Sequence, residues 1–173
     1  MRIDPVPPDD PKRHELFERA QRTYGFLPNT IRVMARGSRV AELYLDAGRL
    51  NRRGTLSALE RELVAITTAS FNGCEYCLTA HTLGARAFGA SAAAAAAAQD
   101  ACSDDPRTAA LLELARAVLE SRGQVGDEQL ARARAAGLDD TTLLDLVAAI
   151  AENTLGNFVN NLARTDIDER LLR

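Results

Sequence analysis

Ser57-Ala58-Leu59-Glu60-Arg61-Glu62-Leu63-Val64-Ala65-Ile66-Thr67-Thr68-Ala69-Ser70-Phe71-Asn72-Gly73-Cys74-Glu75-Tyr76-Cys77-Leu78-Thr79-Ala80-His81 repeats its apolar residues at helical spacing and contains no strand-like alternation. Ser57 followed three residues later by Glu60 is a capping-box signature, because each side chain can satisfy a backbone N–H that the first helical turn leaves unpaired. Leu59, Leu63, Val64, Ile66 and Thr67 then line one face until Asn72-Gly73 interrupts, and a new helix starts at Cys74. A helix, a tight return and a second helix follow from this pattern.

The same signals extend in both directions. Upstream they place a short helix at about residues 13–23 and another capped by Asn29 or Thr30 that carries Ile31, Val33 and Met34. Gly37-Ser38 separates the latter from a third helix at about residues 39–51. Downstream, the helix from Cys74 runs to about Phe88, where Gly89 ends it, and Ser91 caps an alanine-rich helix reaching Ala101. Asp104 or Asp105 with Pro106 opens a helix over 107–121, Asp127 opens one to Ala136, and Asp139 opens a long one through Leu162. No segment alternates as a strand would, so the expected fold is an all-α helical bundle with antiparallel neighbours.

The chain has 173 residues, 46% hydrophobic and 26% charged, which is enough apolar material for one domain without disulfide or metal staples. Five of the six prolines fall before residue 29, dividing the chain into an N-terminal arm with a short helix (1–28) and an all-helical domain (29–173). A net charge of −3 gives no basic footprint for nucleic acid, and anionic membrane surfaces are disfavoured for the same reason. The polar, proline-bearing start has no secretory core, and the tract Ala92 to Ala98 is too short to span a bilayer. The expected location is cytoplasmic, where three cysteines read as redox, metal or packing residues before structural disulfides.

Cys74, Cys77 and His81 carry the chemistry. At offsets of three and four on a helix they share one stripe, which brings two thiols and a base together. The pair needs little adjustment to reach disulfide geometry. Cys74 lies closest to the helix N-terminus, whose free N–H groups favour thiolate over thiol, while His81 is placed to take a proton from Cys77. An antiparallel return at Asn72-Gly73 could bring Glu60 or Glu62 back to orient the histidine. Glu60 is the simpler choice for the capping role, which leaves Glu62 for the relay. His14 belongs to a charged, solvated segment, Cys102 reads as incidental, and Tyr76 either lines the mouth of the site or packs.

Glu62, eleven intervening residues, then Cys74-x-x-Cys77-x-x-x-His81 resembles the signature of the AhpD-like alkylhydroperoxidases in the carboxymuconolactone decarboxylase superfamily. The surrounding residues Glu60 to Ala65 and Asn72 to Cys77 resemble its peroxidase-related branch, and a looser likeness runs from about Gly25 to Leu162. The resemblance implies a helical homo-oligomer and a peroxidase acting on hydroperoxides with an external dithiol reductant. Cys77 would attack peroxide, Cys74 would resolve it as a disulfide, and Glu62 with His81 would form a proton relay. No metal, haem or flavin is implied. Tyr76 departs from the family, whose peroxidases place a second histidine directly before the second cysteine, and shortens the relay. Lactone decarboxylation is not implied, since the decarboxylases lack the cysteine pair.

Two other readings accompany this one. The same four side chains could serve a redox-responsive or metal-binding oligomeric protein that turns nothing over. A shift of 83 positions also sets Glu62 on Asp145, Gly73 on Gly156, Cys74 on Asn157, Cys77 on Asn160 and His81 on Arg164. That pattern suggests a degenerate internal repeat of the helix pair without its thiols.

Overall fold

The computed structural model describes residues 1–37 and 39–172. Among them lie nine α-helices and no strand: α1 (His14–Tyr24), α2 (Asn29–Met34), α3 (Val40–Asn51), α4 (Ala58–Phe71), α5 (Glu75–Ala87), α6 (Ala92–Ala97), α7 (Pro106–Ser121), α8 (Asp127–Ala135) and α9 (Asp140–Ala163). The expected break at Gly37-Ser38 falls partly outside the described residues, at Ser38.

α4 is the central helix, packed against α5, α7 and α9 at once. Its composition accounts for this: Val64, Ile66 and Ala69 are fully buried, and Thr67 and Thr68 tolerate burial by donating their hydroxyls to backbone carbonyls. Around α4 the core collects Leu111 and Leu112 of α7, Leu138, and Leu146 of α9. Each such leucine contributes roughly 1.5–3 kcal/mol by leaving water. A second core joins Phe17, Ile31, Met34 and Leu45, and a third, smaller one joins Ala69, Cys74, Tyr76 and Cys77 with Ile167 and Leu171 of the C-terminal segment. The N-terminal arm docks by a reciprocal pair, Val6 N–H to the Arg32 carbonyl at 3.0 Å and Arg32 Nε to the Val6 carbonyl at 2.9 Å. Among the described residues no helix is long and apolar enough to cross a membrane.

Most of the expected caps form. Ser57 and Glu60 close a full capping box, and Ser91, Asp105 and Asp139 each accept an N–H from three residues on. Three details differ. Neither Asn29 nor Thr30 caps α2: Pro28 holds that position, and the free Asn29 N–H is satisfied by the distant Asp168 carboxylate. Gly126, not Asp127, precedes α8, with Gln129 accepting its N–H. The alanine-rich helix tightens into a 3-10 turn at Ala98–Asp100, where α4 donates the Thr67 hydroxyl to the Ala98 carbonyl.

The internal repeat is overturned. Residues 57–81 form two helices broken at Asn72 to Cys74, whereas Asp140–Ala163 is one uninterrupted helix, so the two stretches cannot superpose. One aligned pair instead meets face to face, Asn160 Nδ2 donating to the Cys77 sulfur at 3.3 Å, while Asn157, set on Cys74 by the shift, accepts from Asn72 Nδ2 at 2.9 Å.

Candidate active site

Cys74 is the N-cap of α5. Gly73 precedes it at φ 62°, a left-handed conformation that turns the chain out of α4 at little cost for a residue without Cβ. Cys74 Sγ takes the place of a capping oxygen and accepts the Cys77 N–H at 3.3 Å. The two cysteines are joined as a disulfide with Cα atoms 5.4 Å apart, and both are buried, Cys74 at 2% and Cys77 at 5% exposure. Cys102 is a free, exposed cysteine beyond the alanine helix.

The antiparallel return delivers the expected carboxylate. Glu62 Oε2 lies 2.8 Å from His81 Nδ1, and both side chains are about three-quarters buried. Glu60 points elsewhere, accepting from Ser57 N at 2.8 Å and Arg107 Nε at 3.1 Å. Its partial burial raises its carboxyl pKa, but those hydrogen bonds and Arg107 outweigh burial and hold it below the usual range. Helical phase thus separates the two carboxylates as the sequence pattern indicated. His14 is exposed beside Glu18.

Cys77, His81 and Glu62 line a single cavity of about 280 Å³ whose walls include Tyr24, Phe26, Tyr44 and Tyr76. Cys74 is not part of that lining, so the cavity borders Cys77 and not its disulfide partner. A second, more polar chamber of about 400 Å³ shares Glu62 and His81 and extends to Arg52, Arg61 and Glu152. Burial pushes the Glu152 carboxyl up, against the Asn51 hydrogen bond at 2.6 Å that favours its charged form. Burial likewise drives the Tyr24 hydroxyl pKa up to about 12 and raises that of Tyr44 well above its ordinary value.

Tyr76 both lines the mouth and packs. Its hydroxyl donates to Asp168 Oδ2 at 2.6 Å, and burial together with that carboxylate pushes its pKa far above the ordinary value. Among the described residues no three side chains of ligating type gather closely enough to hold a metal ion. The residues that the sequence did not identify are Tyr44, Glu152, Asn160, Thr30 and Asp168. Only Asn160 left a signal, through its 83-residue offset from Cys77.

Fold and site define the class: a helical dithiol protein in which a cysteine pair, a histidine and a carboxylate meet around an aromatic cavity. Residues 39–120, from the start of α3 almost to the end of α7, match the model of the carboxymuconolactone decarboxylase family. No curated protein sequence matches significantly. Among solved structures, an uncharacterized peroxidase-related protein from Silicibacter sp. TM1040 superposes with a TM-score of 0.83 at 20% identity, covering 98% of this chain and 93% of its own. A peroxidase-related protein with an alkylhydroperoxidase AhpD core from Ralstonia eutropha JMP134 gives 0.81 at 23% identity, covering 96% and 88%. A cysteine-to-alanine variant of the debrominase Bmp8 in complex with 2,3,4-tribromopyrrole gives 0.82 at 19% identity, covering 99% and 94%. These likenesses establish the shared helical fold.

Proposed function

We propose that the protein is a cofactor-free thiol peroxidase or disulfide oxidoreductase that reduces hydroperoxides through Cys77 and Cys74, with Glu62 and His81 as its proton relay. The observation that carries the reading is the shared cavity, in which Cys77 and His81 face one space and Glu62 bonds His81 from behind at 2.8 Å. Holding the Nδ1 side by a carboxylate fixes the ring and leaves Nε2 free to exchange a proton. The Cys77 proton passes to His81, and the thiolate attacks the terminal peroxide oxygen. The O–O bond breaks, the alkoxide takes the proton from His81, and Cys77 becomes a sulfenic acid. The Cys74 thiol then attacks that sulfur, forming the disulfide and releasing water. An external dithiol returns two electrons and two protons by exchange and leaves as its own disulfide. A homo-oligomer is part of this reading, and the large apolar side chains that α9 exposes, Leu144, Val147, Phe158 and Leu162, support contact with a second copy.

The aromatic walls favour one second reading. A flat halogenated ring, such as the brominated pyrrole bound to the debrominase Bmp8, is the class of ligand that aromatic walls would stack on, and the same dithiol could convert an aryl bromide into the arene and hydrogen bromide as it closes to the disulfide. One experiment separates these possibilities: sustained consumption of hydrogen peroxide, tert-butyl hydroperoxide and tribromopyrrole with several dithiol donors, beside a thiol count. The expected result is catalytic loss of hydroperoxide, with Cys102 remaining a free thiol. Stoichiometric oxidation without turnover would make the pair a redox switch, and bromide release alone would favour the second reading.

A further inference from the structure

Cys77 is the third residue of α5, and its own N–H is committed to the Cys74 sulfur, so that N–H gives its own sulfur no support as a thiolate. Asn160 of α9 supplies what is missing. Its side chain is 4% exposed, its Nδ2 donates to Cys77 Sγ at 3.3 Å, and its Oδ1 is buried without a partner. Thr30 Oγ1, on the same cavity and 7% exposed, is likewise unpartnered. Two orphaned oxygens on the wall of one cavity are unusual, because buried polar atoms are nearly always hydrogen-bonded, and both residues line the space a substrate would fill.

We propose that Asn160 is a catalytic residue: its amide N–H holds the Cys77 sulfur as a thiolate, and its amide oxygen with the Thr30 hydroxyl forms the polar subsite for a hydroperoxy group. The inference rests on the reading of Cys77 as the attacking thiol. A disulfide sulfur accepts hydrogen bonds weakly and a thiolate accepts them strongly, so one fixed donor favours the charged form. The terminal O–H of the peroxide points its hydrogen at Asn160 Oδ1, which places that oxygen beside the sulfur. Thr30 donates to the inner oxygen, which becomes the alkoxide when the O–O bond breaks and then takes its proton from His81. The terminal oxygen stays on sulfur as the sulfenic acid, still bonded to Asn160.

The test uses the Cys74→Ser protein, in which the serine hydroxyl can keep the Cys77 N–H bond, and follows alkylation of Cys77 by iodoacetamide against pH with peptide-resolved mass spectrometry. Asn160→Leu keeps the side-chain volume and removes the donor. Its alkylation should be about tenfold slower at pH 7, the change expected for one unit in thiol pKa, and should converge with the parent at high pH. Asn160→Asp sets a carboxylate against the sulfur and should be slower still. Asn160→Ser replaces the leucine variant if the latter does not fold by circular dichroism. Thr30→Val should leave the alkylation profile in place in this background, and in the protein with both cysteines it should raise KM for tert-butyl hydroperoxide. Superposable profiles for the parent and both Asn160 variants would overturn the thiolate role. An unchanged KM in Thr30→Val would overturn the subsite. A shifted profile in a protein that no peroxide oxidises would uphold the thiolate role and remove the peroxidase reading.

Discussion

Glu60 and Glu62 stand two residues apart on α4 and do different work because a helix turns about 100° per residue, placing one at the capped end and the other against α5. Glu62→Gln keeps size and hydrogen-bonding capacity while deleting the charge behind His81. Loss of a positioned acid–base contribution costs on the order of 10² to 10⁴, so peroxide oxidation of Cys77 measured by stopped flow should fall steeply at pH 7 and recover much of that loss at high pH. Glu60→Gln should leave this rate near wild type and cost about 1 kcal/mol in denaturant unfolding through its weakened cap. The folded pKa of Glu60 is depressed, so its stabilisation exists above the unfolded carboxyl pKa and disappears as pH falls through the folded value. The gap between wild type and Glu60→Gln should therefore close in acid. Glu152 behaves oppositely. Burial raises its pKa, so the folded state loses stability as pH rises from the unfolded carboxyl range through the raised folded value. Glu152→Gln, which can still accept from Asn51, should melt above wild type at pH 8 and level with it near pH 4. A melting gap independent of pH would show that Glu152 is not the titrating group.

At the scale of the element, α5 was the most legible part of the chain, because everything that fixes it is local. Gly73 takes the left-handed turn, Cys74 caps, and offsets of three and four put Cys77 and His81 on one stripe. The cap of α2 was illegible because its acceptor, Asp168, lies 139 residues away. The false repeat arose because α4, α5 and α9 share small and aliphatic residues for a common reason, mutual packing, and Asn157 and Asn160 are buried on α9 as partners of Asn72 at the end of α4 and of Cys77 on α5 rather than as copies of that helix pair. One glycine in α5 is equally non-local in its logic. A Cβ on Gly84 would stand 2.5 Å from Glu62 Oε2, so the residue keeps space open for the carboxylate that bonds His81. Gly84→Ala should therefore separate site from scaffold. Alanine is preferred to glycine inside a helix by up to about 1 kcal/mol, and the group it displaces is the flexible end of a side chain, so the melting temperature should not fall. Cys77 reactivity at pH 7 should nonetheless drop toward that of Glu62→Gln. A variant with unchanged reactivity would show that the Glu62–His81 bond is not needed.

The whole molecule closes over its sulfurs with the far end of the chain. Ile167 and Leu171 pack in the same small core as Cys74, Cys77 and Tyr76, and the segment is held there by polar ties to three distant places. Asp168 accepts from Asn29 N–H with both oxygens at 3.1 Å and from the Tyr76 hydroxyl at 2.6 Å, while Arg170 donates to the Gly25 carbonyl at 3.2 Å and lies 5.5 Å from the Phe26 ring centre. One carboxylate thus caps α2 and fixes the C-terminal segment against α5, which couples the N-terminal helices to the site although no local signal in the sequence joins them. Asp168→Ala leaves the Asn29 N–H and the Tyr76 hydroxyl without their acceptor. Hydrogen bonds to a charged group contribute about 1.5–3 kcal/mol each, and partial exposure of this carboxylate discounts both below that range, so a combined loss on the order of 2 kcal/mol is expected in chemical unfolding. That corresponds to roughly 4 to 8 °C in melting temperature for a chain of this length. Asp168→Asn, which keeps one acceptor oxygen, should lose about half as much. With the segment loosened, a small dithiol should reduce the Cys74–Cys77 disulfide faster in Asp168→Ala than in wild type at a temperature where both are folded, because the two cysteines are otherwise 2% and 5% exposed. Equal reduction rates would mean that the reductant reaches Cys77 through the aromatic cavity and that the C-terminal cover has no part in access.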